Sequence, residues 1–161
     1  MLRETLFLIA ALTLVVAGCG KKDDGASAES CGPLKVTVDG KPVDGLTVGM
    51  GYKEQTTGGY LVYVFNHDKA TCEQLLAGQR RVPDGEVAVR GFAEAGKKGM
   101  MNSVGIGAHT QLGSDVSLVT EPKKAGDTMA LCAKKTEFTP KIGEYKEKTV
   151  TVEGLLSGSY C

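Results

Sequence analysis

The spacing of the cysteines constrains this chain more than any other feature. Cys19, Cys31, Cys72, Cys132 and Cys161 are spread along 161 residues, and no two stand at the C-x-x-C spacing of zinc or redox sites. Structural zinc sites usually recruit thiolates as close pairs, so neither a metal nor any other cofactor is expected here. Cysteines this far apart close long loops when they pair, and so staple a small domain across its whole length. Five is an odd number. One cysteine must therefore have a fate other than pairing within the chain.

The N-terminus identifies the odd one. Leu6 to Ala17 (LFLIAALTLVVA) is a nearly unbroken apolar run. As a helix it would span about 18 Å, against a hydrocarbon core of about 30 Å, so it reads as the h-region of an export signal rather than a membrane span. Arg3 is offset by Glu4, leaving mainly the terminal amine as positive charge. The run ends in Val16-Ala17-Gly18-Cys19, which resembles the lipobox of bacterial lipoproteins. The resemblance covers residues 1–19 alone. It implies cleavage between Gly18 and Cys19, a diacylglycerol on the Cys19 sulfur and an acyl chain on its new amine. Two or more acyl chains suffice for stable anchoring. In enterobacterial lipoproteins an Asp directly after the lipidated cysteine favours the inner membrane. Gly20 stands here, so the resemblance points to a cell-envelope location and towards the outer membrane, facing the periplasm or the surface.

Gly20 to Ser30 (GKKDDGASAES) holds no large apolar residue and reads as a flexible tether averaging about 17–20 Å end to end. Lys21 and Lys22 are balanced by Asp23 and Asp24. The expected organisation is residues 1–18 as signal peptide, 19–30 as lipidated Cys19 and tether, and 31–161 as one β-rich domain.

With Cys19 taken by lipid, an even four cysteines remain in an exported domain, which reads as two disulfides. Strand-like alternation recurs at 34–38, 46–53, 60–65, 86–93, 102–109, 115–120, 128–133 and 148–160. Asp39-Gly40 is a hairpin-type turn. Tyr60–Phe65 (YLVYVF) is apolar on both parities, as expected of a strand covered on both faces. A short helix is expected near residues 71–77, with Thr71 as N-cap, Gln74 at capping-box spacing and Gly78 as the stop. The expected fold is an all-β, mainly antiparallel sandwich or barrel with that one helix and two disulfides. If 128–133 and 148–160 form a hairpin, Cys132 faces about Val150. Cys161 is then roughly 35 Å further along the strand, which disfavours a 132–161 bond. Two pairings stay open: 31–161 with 72–132, or 31–132 with 72–161.

Composition trims the possible functions. Nineteen Lys+Arg balance nineteen Asp+Glu, so no net positive field collects phosphates and no nucleic acid is expected. The segment Gly91–Lys98 (GFAEAGKK) is nearly a phosphate-binding loop. Lys98 stands where a magnesium-binding Ser or Thr is required, and that reading is rejected. His67 and His109 are the only histidines. His67, Asp68 and His109 are the first residues to examine for a dispersed catalytic pocket, although a turn is the simpler reading of Asn66–Lys69.

Val48-Gly49-Met50-Gly51 echoes Val104-Gly105-Ile106-Gly107. Each pair of glycines paves one strand face, for close packing or strand bending, with a flat ligand as the alternative. Dibasic pairs at Arg80-Arg81, Lys97-Lys98, Lys123-Lys124 and Lys134-Lys135 are expected in turns or at strand ends. They are either solvated loops or a patch for anionic lipopolysaccharide, a glycan or an acidic partner. The function expected is a lipid-anchored, non-enzymatic β domain that binds or scaffolds an envelope protein or glycan. The alternative is an envelope enzyme or enzyme inhibitor whose site assembles from dispersed residues.

Overall fold

The computed structural model describes residues 28–78, 86–94 and 101–161. Gly18, Cys19, most of the tether, Arg80-Arg81 and Lys97-Lys98 lie outside the described residues. In chain order the elements are α1 (Ala28–Cys31), β1 (Lys35–Val38), β2 (Lys41–Pro42), β3 (Val48–Lys53), β4 (Tyr60–Phe65), α2 (Cys72–Leu76), β5 (Ala88–Ala93), β6 (Ser103–Ile106), β7 (His109–Leu112), β8 (Val116–Thr120), β9 (Thr128–Phe138) and β10 (Val150–Tyr160). The chain is thus β-rich, with two disulfides and α2 where the capping signals put a helix. The last three residues of the sequence-defined tether belong to α1 and its approach.

The ten strands of the described residues join one sheet, and β10 is its hub. One edge of β10 pairs antiparallel with β9 along most of its length. The other edge takes β1 at Val150–Glu153 and, in parallel, β3 at Ser159–Tyr160. From β3 the sheet continues antiparallel through β4, β5 and β6 to β7, while β8 adds to the far side of β9. This ribbon curls over on itself. Val62, Val89, Val104 and Ile106 on one wing pack with Met129, Leu131, Val152 and Leu156 on the other in one buried core. The curl brings β8 back towards β5 and β6. Buried Asn102 bridges that seam, accepting from the Glu94 N–H (2.9 Å) and donating to the Val116 carbonyl (2.8 Å).

The alternating residues of β4 explain its unbroken apolar run. Tyr60, Val62 and Val64 face the inner core, while Leu61, Tyr63 and Phe65 face a second cluster under Leu75 of α2. Helix α2 begins with the full capping box, Thr71 and Gln74 satisfying each other's backbone N–H groups. The Cys72–Cys161 disulfide, Cα–Cα 5.4 Å, fixes its first turn to the end of β10. The other disulfide is Cys31–Cys132, so one of the two open pairings is realised.

Three boundaries differ from expectation. The 102–109 segment is two strands, because Gly107 turns the chain at φ +53° and Ile106 then pairs with His109. After the Asp39-Gly40 turn comes only the two-residue β2, and β3 pairs further along the same edge of β10 that holds β1. Strand β9 runs five residues past Ala133, to Phe138. Cys132 therefore faces Leu155 instead of Val150. Six residues still separate that partner from Cys161, about 20 Å of strand, so a 132–161 bond stays out of reach.

Candidate functional site

A β-bulge builds the most distinctive surface. On the β9–β10 ladder Thr136 faces Val152 and Ala133 faces Gly154, so the single residue Glu153 opposes both Lys134 and Lys135. A bulge breaks strict alternation and re-aims the side chains beside it. On its other edge Glu153 is the register partner of Lys35. Lys35 from β1 and Lys134 and Lys135 from β9 thus line one groove together with Glu153.

The N-terminal segment forms the wall of this site. Disulfide Cys31–Cys132, Cα–Cα 5.7 Å, pins α1 to β9, and the Leu155 N–H donates to the Gly32 carbonyl at 3.0 Å. Gly154 makes that approach possible. Its φ is +102°, and a Cβ there would lie 2.1 Å from the Pro33 carbonyl oxygen. The result is a half-open groove of about 600 Å³ lined by Ser30–Pro33, Lys35, Cys132–Lys135, Glu153 and Gly154. Lys35 reaches Glu153 only at 3.9 Å, and Lys134 pairs with Asp115 at 2.8 Å. The lysine side chains of both pairs are two-thirds exposed, so each pair contributes at most about 1 kcal/mol and leaves the ammonium open to solvent. Lys134-Lys135 thus lies within β9, not in a turn or at a strand end. Its polarity reflects the bulge and the open groove.

The histidines are placed separately. His67 follows β4, its ring 5.3 Å from Phe65, and its Nδ1 accepts from the Lys69 N–H at 3.2 Å. Asp68 beside it is exposed. His109 opens β7 and stacks on Phe138 at 5.4 Å. Phe65 belongs to the outer cluster and Phe138 to the inner core, so the two imidazoles sit against different layers. Each has a buried Nε2 without a hydrogen-bond partner.

The glycine-paved faces are filled by the chain's own atoms. A Cβ on Gly49 would collide with Ser157, and one on Gly51 with Met129. The Arg90 side chain crosses Gly105 to donate to Thr110 Oγ1 on β7. Gly107 serves the turn. Close packing is therefore what these glycines do.

Lys123-Lys124 forms a turn whose backbone N–H groups both donate to the Asp127 carboxylate, at 3.0 and 3.1 Å. Of the near-phosphate loop, Gly91–Ala93 is β5 itself, and the lysines lie outside the described residues. Another polar cluster joins the wings. Tyr60 donates to Glu121, and Lys53 lies 5.0 Å over the Tyr60 ring. The hydrogen bond to Glu121 holds the Tyr60 phenol above its ordinary pKa, and the bond to Tyr60 raises Lys53. Among the described residues no group of three His, Cys, Asp or Glu could hold a metal ion, and no helix is long and apolar enough to cross a membrane.

The groove was only partly legible beforehand. The dibasic pair is visible in the sequence, but the bulge depends on which residues of a distant strand lie opposite. Comparison with family models, curated proteins and solved structures finds no match for this chain.

Proposed function

We propose that this is a lipid-anchored envelope lipoprotein whose β domain binds or scaffolds another envelope component without catalysing a reaction. The observation that carries the reading is the disulfide pairing. Cys31 with Cys132 and Cys72 with Cys161 use the four domain cysteines among themselves, leaving over the one cysteine that ends the lipobox-like segment. Two disulfides also suit an oxidising, exported environment. The tether would enter the fold at α1, which Cys31–Cys132 ties to β9, a strand paired on both edges, so tension on the anchor passes into β9 rather than peeling an edge strand.

The enzyme or enzyme-inhibitor alternative has less support, because His67 and His109 pack on different layers and Asp68 is exposed. The test is acylation in cells. With a clickable palmitate analogue, the wild-type chain takes up label and partitions with membranes, and Cys19→Ser loses both. Unchanged partition and processing of Cys19→Ser would overturn the anchor. For the binding role, photo-crosslinkers placed on the domain surface of the anchored protein in intact envelopes should yield a discrete adduct. Absence of any adduct from every surface position would count against scaffolding.

A further inference from the structure

We infer that the groove beside the β9 bulge is a docking site for the phosphate headgroups of anionic lipids in the membrane that carries the anchor. The inference rests on the lipoprotein reading for its geometry, and on the groove itself for its chemistry. Lys35, Lys134 and Lys135 line it against Glu153 alone, and the Asp115 carboxylate that pairs with Lys134 lies outside the lining. The bulge brings both β9 lysines opposite Glu153, an arrangement that regular alternation would have split between two faces. Lys135 enters no ion pair among the described residues.

Position selects the occupant. The groove wall begins at Ser30, at the domain end of the tether, so an anchor at Cys19 would hold the groove within about 20 Å of the headgroups. Cationic side chains feel an anionic leaflet within a Debye length, about 8 Å at physiological salt, so docking requires the groove to come that close to the headgroups. The lining has no aromatic side chain on which a sugar or base would stack, and the groove is open enough for a headgroup to enter without a fold change. Headgroup contact would orient the domain, with the bulge towards the membrane and α2 away from the anchored end.

The test uses the mature chain from residue 19 with Cys19→Ser, so neither acyl chain nor signal contributes. Its co-sedimentation is measured with vesicles containing phosphatidylglycerol and with purely zwitterionic vesicles, at low and physiological salt. Binding is expected to the anionic vesicles only, weakening as salt rises. Replacing Lys35, Lys134 and Lys135 by Gln should weaken it at least about tenfold, since each lysine near an anionic surface contributes a severalfold factor. Lys123→Gln with Lys124→Gln, at a turn of equal charge, should leave it unchanged, and Glu153→Gln should strengthen it. Retained disulfides and circular dichroism establish that each variant is folded. Equal binding to both vesicle types, or equal loss from the Lys123/Lys124 variant, overturns the site. Because this chain carries no lipid, the result is independent of the acylation test, and failure of one is distinguishable from failure of the other.

Discussion

Gly49 on β3 and Gly158 on β10 approach each other too closely for any side chain to stand between them. A Cβ on Gly49 would lie 1.8 Å from the Ser157 carbonyl oxygen, and one on Gly158 would lie 2.2 Å from the Gly49 carbonyl carbon. The obstacles are backbone atoms and cannot rotate away. Gly49→Ala is therefore expected to destabilise the domain by about 3 kcal/mol, at the upper end of overpacking costs. Gly113→Ala, where φ is +73° and nothing lies within 4 Å, should cost only about 1 kcal/mol of backbone strain. Urea midpoints of the two variants give the comparison, and similar losses would contradict it.

The Cys72–Cys161 bond closes a separation of 89 residues, a constraint worth about 4–5 kcal/mol in the chain-entropy model. Replacing both cysteines by Ser should lower stability by about that amount. Helix α2 has five residues, too few to persist without tertiary support. Its amide protons should lose protection in this variant while those of β9 and β10 keep theirs. Hydrogen exchange followed by mass spectrometry reads both effects, and an unchanged α2 would show that burial of Leu75 alone secures it.

Glu54 organises the turn between β3 and β4. Its carboxylate accepts from the Thr57 N–H at 2.8 Å, from the Thr57 hydroxyl at 2.6 Å and from the Thr56 N–H at 3.3 Å. The Thr57 hydroxyl is the main cause of its depressed pKa, about 2 against 4.5 ordinarily. A carboxyl depressed on folding stabilises the fold above its ordinary value. That contribution falls away as pH drops from about 4.5 towards 2 and is gone below the folded-state pKa. The Glu54 side-chain resonance should titrate near 2, and Glu54→Gln should flatten the acid limb of the stability curve. A titration midpoint near 4.5 would contradict the contact.

Asn102 is the bridge across the curl, 4 % exposed and bonded to the backbone of both Glu94 and Val116. Asn102→Ala would leave the half-buried Glu94 N–H and the buried Val116 carbonyl without those partners, at a cost of about 2–3 kcal/mol. Amide exchange at β8 should accelerate more than exchange in β4. A loss spread evenly over the sheet would place the role of Asn102 elsewhere.

Local chemistry accounts for what could be read in advance. The double parity of Tyr60–Phe65 marks a strand between two clusters, and the Thr71–Gln74 pair marks the start of a helix. Each signal is complete within a few residues. The end of β9 is different. Lys134, Lys135 and Glu137 look like loop residues, and only pairing with β10 keeps them in a strand. The same partner creates the bulge, so the groove could not be derived from either segment alone. The disulfides fall between these cases. Counting identified the four cysteines and geometry removed one bond, but choosing between 31–132 and 31–161 requires knowing that α1 crosses β9.

The hub position of β10 sets the order in which the domain can form. Strands β1, β3 and β9 all wait for this last strand in chain order, and Cys72 waits for Cys161 beyond it. During vectorial delivery from the N-terminus, the wings can collect hairpins but cannot close until β10 arrives. A chain that emerges N-terminus first would remain loose until β10 had emerged. Truncations within β10 should therefore abolish folding rather than trim it.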